Sequence, residues 1–102
     1  VQTGRRKQLE KQIRKNPQLE SVVADLETKI HGLSRQQLSG GGFQLEPIKH
    51  TNGALWTIRA GKGPRMVCQI LGDLLELLEF QDHNGAYRKS SLVALTAKLF
   101  FR

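Results

Sequence analysis

Two arginines, a histidine and a tyrosine punctuate the stretch from Gly53 to Lys89, and together they suit one chemistry. Arg59 ends the strand-like run Ala54-Leu55-Trp56-Thr57-Ile58-Arg59, and Arg65 follows the turn Gly61-Lys62-Gly63-Pro64. His83 and Tyr87 stand in Asp82-His83-Asn84-Gly85-Ala86-Tyr87. These are the groups needed to bind a phosphodiester and move its protons. RNA carries its own nucleophile, the ribose 2′-hydroxyl. A ribonuclease has only to align it, neutralise the charge that builds on phosphorus and handle two protons. Fixed cations stabilise such developing charge, and a His or Tyr acting as acid or base contributes about 10²–10⁴-fold. Taken singly, each residue also has a plainer role. Arg59 and Arg65 read as exposed strand-end cations, His83 as a surface loop residue, and Tyr87 as a seal between a sheet and a last helix.

Charge supports a polyanionic partner. Sixteen Lys and Arg against nine Asp and Glu give a formal charge of +7 and a pI near 10.1. On a small domain this steers association with polyanions and drives it by counterion release. The segment Arg5 to Asn16 is especially basic, with Leu9 and Ile13 four apart as a thin apolar stripe. Its charged side is either a solvated helix face or a phosphate-contacting one.

Other chemistries find little support. Cys68 is the single cysteine and lies in the apolar run Met66-Val67-Cys68-Gln69-Ile70, which reads as a buried, inert thiol. No acid pair, metal-ligand cluster or phosphate-loop motif is present, so no metal and no small-molecule cofactor is expected. The Gly40-Gly41-Gly42 run is not followed by Gly-Lys-Ser/Thr and reads as a flexible connector. Nothing approaches the ~18 consecutive apolar residues of a membrane span, and the N-terminus lacks the apolar core of a secretory signal. A reducing cytoplasm is the expected compartment.

The candidate residues need a scaffold, and 102 residues can bury one core. Asn16-Pro17 reads as a helix start, with Asn as cap and Pro at the first helical position. Leu19, Val22, Val23, Leu26, Ile30 and Leu33 then follow helical spacing, predicting a helix to about Leu38, with Gly32 weakening its last turn. With the preceding basic segment it makes a helical hairpin over 5–38. Phe43 to Ile48 alternates, and Pro47 makes it an edge piece. Strands are predicted over Leu55–Arg59, Arg65–Leu71 and Leu74–Phe80, with a hairpin turn at Gly72-Asp73. The third strand is contested. Asp-Leu-Leu-Glu-Leu-Leu-Glu has strong helix propensity, and its alternation puts Leu75 and Leu77 on the same face as Glu79. The hairpin signal, together with the family resemblance given below, decides for strand. Ser90-Ser91 caps a terminal helix over 90–101. The whole is an α+β single domain, 1–102: a helical hairpin packed on a small antiparallel sheet (43–80) with a C-terminal helix.

The order Trp-x-Ile-Arg-x(5)-Arg, a Leu-rich run, then Asp-His-x-x-Ala-Tyr resembles the RelE/ParE superfamily of bacterial toxins, over roughly the second two-thirds of the chain. The resemblance implies a type II toxin acting as a metal-independent endoribonuclease on mRNA, with or without the ribosome. Cleavage would leave a 2′,3′-cyclic phosphate. It implies catalytic roles for Arg59, Arg65, His83 and Tyr87, with Lys49, Lys62, Arg88 and Lys89 as nucleic-acid-binding flanks. It also implies a cognate antitoxin as protein partner. Two alternatives remain open: a ParE-like, non-enzymatic inhibitor of DNA gyrase or another protein, and a non-toxic nucleic-acid-binding relative. The sequence departs from the family at Thr57, where relatives often carry a second basic residue, and at Gln81 and Asp82. Members usually place a strand before the first helix. Here only Val1-Gln2-Thr3 precede Gly4, so that strand is short or absent.

Overall fold

The computed structural model describes residues 1–49, 51–61 and 63–81. Among these residues it shows three helices and a five-stranded mixed sheet. In chain order these are β1 (Gln2–Arg5), α1 (Lys7–Lys15), α2 (Leu19–Ile30), α3 (Arg35–Ser39), β2 (Glu46–Pro47), β3 (Trp56–Arg59), β4 (Arg65–Leu71) and β5 (Leu74–Gln81). The strand order across the sheet is β1-β5-β4-β3-β2. The expected terminal helix over 90–101 lies outside the described residues.

Turn chemistry builds the central strands. Gly72, at φ +62°, opens the two-residue turn between Leu71 and Leu74. A II′ hairpin turn requires that backbone sign at its first position, and glycine supplies it without strain. β3 and β4 pair antiparallel from Trp56↔Cys68 to Arg59↔Arg65, and the Ala60 N–H closes the loop on the Pro64 carbonyl at 3.1 Å. The Leu-rich segment is a strand, as the hairpin signal predicts, paired by β4 on one side and β1 on the other. Its irregular alternation has a physical cause. The β4–β5 register passes from Val67↔Glu79 to Cys68↔Leu77, leaving Leu78 as the extra residue of a bulge. The bulge reverses the parity of β5. Leu75 and Leu77 face the main core, Leu78 joins the opposite cluster, and Phe80 returns to the main core.

The sheet is mixed rather than antiparallel. β1 runs parallel to β5 in the register Gln2↔Leu74 to Arg5↔Leu77. The strand before the first helix is therefore present and short. It supplies backbone partners along an edge of β5 that would otherwise be open. Beyond Arg5 the chain turns into α1, and a side chain continues the pairing. Gln12 Nε2 donates to the Phe80 carbonyl at 2.7 Å, and the Phe80 N–H donates to Gln12 Oε1 at 2.8 Å.

The helical layer departs from expectation at two points. Asn16-Pro17 forms the corner between α1 and α2, and α2 starts at Leu19. The Asn16 N–H caps α1 on the Gln12 and Ile13 carbonyls. The helix expected to reach Leu38 stops at Ile30, because Gly32 takes φ +82°, a left-handed conformation that ends a helix. A new helix, α3, then starts at a capping box: Gln37 N–H donates to Ser34 Oγ, and Ser34 N–H to Gln37 Oε1.

The main core lies between helices and sheet, where Leu9, Val23, Leu26, Ile30 and Leu38 meet Ile58, Met66, Cys68, Leu75 and Leu77. Leu55, Val67 and Leu78 form a smaller cluster on the other face. Arg5 ties β1 to α2 by donating to Glu27 at 2.7 Å and to Glu20 at 2.8 Å. The bonds to Glu27, then to Glu20, raise the guanidinium's pKa further. Arg6 pairs with Glu76 at 2.8 Å.

Candidate functional site

Arg59 ends β3, Arg65 opens β4, and the register places them directly opposite each other. Like charges in that position repel and destabilise a sheet, so something must lie between them. It is Gln44. Its Oε1 accepts from Arg59 Nη2 at 3.1 Å and from Arg65 Nη2 at 3.3 Å. Arg65 Nη1 also reaches the Gln44 backbone carbonyl at 3.4 Å. Two guanidiniums thus meet on one neutral oxygen. The Glu46 carboxylate, exposed on β2, stands 3.6 Å from Arg65.

The backbone makes this junction. After the glycines the chain passes along the end of β3, and the Arg59 N–H donates to the Phe43 carbonyl at 2.7 Å. The Leu45 N–H donates to the Leu38 carbonyl at 2.8 Å. Between these two anchors Gln44 adopts φ +48°. On the other side of Arg65 stands Gln81, its register partner and the last residue of β5. A groove of about 630 Å³ adjoins Arg59, lined by Val22, Leu26 and Phe43 with Asp25 and Lys29 at α2.

The structure brings Arg59 and Arg65 together as the sequence predicts. Lys49 is not with them. β2 pairs antiparallel with β3 through Pro47↔Trp56, so Lys49 lies exposed at the opposite end of β3 from Arg59. His83, Tyr87, Lys62, Arg88 and Lys89 lie outside the described residues. Gln44 escaped the sequence reading because it carries no charge and sits in a segment read as a connector and edge strand.

The basic N-terminal segment divides in two. Arg5 and Arg6 are committed to carboxylates. Lys7, Lys11, Arg14 and Lys15 are exposed on α1, and their spacing puts them on one face. Cys68 is buried, and burial pushes its thiol up to about 12, so it is no nucleophile at neutral pH. Among the described residues no cluster of three or more His, Cys, Asp or Glu side chains could hold a metal ion. No helix among them is long and apolar enough to cross a membrane.

An α+β domain with a helical layer on a mixed sheet, and a pair of arginines at the end of its central hairpin, is the class that these features define. A solved structure, that of a copper-bound mutant toxin from Helicobacter pylori, superposes with a TM-score of 0.56 at 17% identity, covering 85% of this chain and 99% of that one. At that identity the two share a fold. No family model matches the chain, and no curated protein matches it.

Proposed function

We propose that this chain, 1–102, is a single toxin domain of the RelE/ParE type that cleaves RNA without a metal, in the cytoplasm, under the control of an antitoxin. One observation carries the reading: the guanidiniums of Arg59 and Arg65 converge on a single oxygen, which places N–H donors of both within reach of one phosphodiester. The toxin-like fold and the sequence order ending in His83 and Tyr87 support it.

In the proposed reaction the 2′-oxygen attacks phosphorus and the bond to the 5′-oxygen breaks. The products are a 2′,3′-cyclic phosphate and a 5′-hydroxyl. One proton leaves the 2′-hydroxyl and one arrives at the 5′-oxygen. His83 and Tyr87, which follow Gln81 in sequence, are assigned these transfers. Arg59 and Arg65 hold the charge that grows on the phosphoryl oxygens. The groove beside Arg59 has the size and apolar lining for a neighbouring base, with Phe43 as a stacking surface. Lys62, Arg88 and Lys89 are assigned to the flanking backbone, and an acidic antitoxin segment would neutralise the same cations.

Induced expression, with growth and transcript integrity followed together, tests the proposal. Cleaved transcripts with cyclic-phosphate ends are expected, and Arg65→Ala should lower cleavage by about 10²-fold or more, the usual loss for one oxyanion donor. Arrested growth with intact RNA would replace this reading by inhibition of a protein target. Unchanged cleavage in Arg65→Ala would remove the site from the mechanism.

A further inference from the structure

We infer that Gln44 is a positioning residue that pairs the two guanidiniums for an anion while leaving their charge intact. The inference rests on the phosphate-binding reading of Arg59 and Arg65 and assigns a role in that site to a residue that is neither charged nor in a strand.

Consider first what the site must do without ligand. Two arginines opposite each other across adjacent strands repel and would splay. A carboxylate between them would hold them, but would cancel half of the charge that an anion needs. An amide oxygen holds them and cancels none, and the exposed Glu46 carboxylate, 3.6 Å from Arg65 on the solvent side, offsets that one arginine only in part. Gln44 presents that oxygen to both side chains, at 3.1 and 3.3 Å. The orientation of the amide follows from the chemistry, since its NH₂ would otherwise face two cations.

The backbone that carries the bracket is held in place. Phe43 and Leu45, on either side of Gln44, are pinned by backbone hydrogen bonds of 2.7 and 2.8 Å, one to Arg59 itself and one to Leu38. Gln44 is held at φ +48° between them, a conformation that non-glycine residues adopt only when their surroundings compensate. These bonds fix the backbone from which the amide projects, so the position of its root is set before any ligand arrives. The anion does not need the amide to move. Each guanidinium has five N–H donors. Among the described residues Arg59 gives one of them to Gln44, and Arg65 gives two. Donors on both therefore remain for a phosphate, which would find the pair already set at a shared distance. Prearranged donors of this kind bind without the cost of ordering two long side chains.

The charge argument gives the test its sign. Binding of a single-stranded RNA with a 2′-deoxy residue at the cleavage position is measured over a salt series for the full chain and for Gln44→Glu, Gln44→Ala and Arg65→Ala, with thermal melting to confirm that each is folded. Gln44→Glu keeps the shape and adds a negative charge. It should weaken binding tenfold or more and flatten the slope of log affinity against log salt by roughly 0.7, the value for one neutralised phosphate on a single strand. Gln44→Ala should weaken binding severalfold with the slope retained, because both arginines keep their charge and lose their alignment. Gln44→Glu and Gln44→Ala binding like the parent, with Arg65→Ala impaired, would overturn the role of Gln44 and spare the phosphate site. Arg65→Ala binding like the parent would overturn the site itself. Tighter binding by Gln44→Ala would also refute the inference, because the amide would then be a competitor that the anion displaces.

Discussion

Removing the Gln12 side chain should loosen the end of the sheet that carries Arg65, and the cost can be worked from its hydrogen bonds. Gln12 completes the bonding of Phe80 on both backbone groups, at 2.7 and 2.8 Å, just past the point where β1 stops pairing. In Gln12→Ala both groups are left without their partners. Each such bond contributes about 0.5–1.5 kcal/mol, and an unsatisfied group in a dry environment costs about 1–3 kcal/mol. Phe80 is half-buried, so water replaces part of the loss and the low end applies to each group. The expected destabilisation is about 2 kcal/mol in total. With a urea slope of about 1.5 kcal/mol/M for a chain of this size, the unfolding midpoint should fall by roughly 1.3 M at unchanged slope. Gln12→Glu separates the two bonds: the carboxylate can still accept from the Phe80 N–H, but it can no longer donate to the Phe80 carbonyl. Its destabilisation should ease as pH falls and the carboxyl regains a proton. Hydrogen exchange at the Phe80 amide gives a local check. It should speed up in Gln12→Ala under native conditions while amides of the β3–β4 pair stay protected. A midpoint shift equivalent to less than about 0.5 kcal/mol, the ordinary range for surface substitutions, would refute this account and leave the Gln12 bonds without energetic consequence.

The exposed cations of α1 should govern association with RNA at a distance from cleavage. Reversing Lys7 and Lys11 to Glu should weaken binding and flatten its salt dependence, by roughly 0.7 in slope for each phosphate no longer neutralised; an unchanged slope would make this face merely solvated. Stability should also depend on pH through the Arg5 network. The hydrogen bond from Arg5 holds Glu20 below the usual carboxylate range. A carboxylate whose folded value lies below its unfolded one contributes stability above the unfolded value, near 4.3, and loses it as pH falls through the folded one. Urea midpoints measured from pH 7 down to pH 3 should therefore fall less steeply in Glu20→Gln than in the parent, and parallel curves would exclude Glu20 from the acid response.

How far these features were legible in the sequence depends on whether a local signal fixed them. Gly61 to Pro64 sets the turn that puts Arg59 across from Arg65, and Gly72-Asp73 sets the one that returns β5 beside β4. Leu74 to Gln81 became a strand against its helix propensity because pairing on both sides outweighs a few tenths of a kcal/mol per residue. The break at Gly32 was announced by Ser34 and Gln37, a capping box that competes with continuation of the helix. Other features had no local sign. Gln-Thr-Gly-Arg has no apolar alternation, and it is a strand only because β5, distant in sequence, offers it an edge. The bulge at Leu78 shows in sequence only as faulty alternation, and alternation alone cannot say where the extra residue sits. Lys49 reads by its charge as a nucleic-acid-binding flank, and the antiparallel run of β2 sets it at the end of β3 away from the arginines, which no local signal announced. Gln44 is the instructive case. Reading a site by charge finds the groups that meet a ligand and passes over the neutral group that holds them. Two cations placed opposite each other by a turn already pose the question of what separates them, so a polar, uncharged residue in the adjoining segment is the thing to look for. In this chain that segment offered Gln44 alone between Phe43 and Leu45, and the hairpin register, rather than the residue itself, is what gives it meaning.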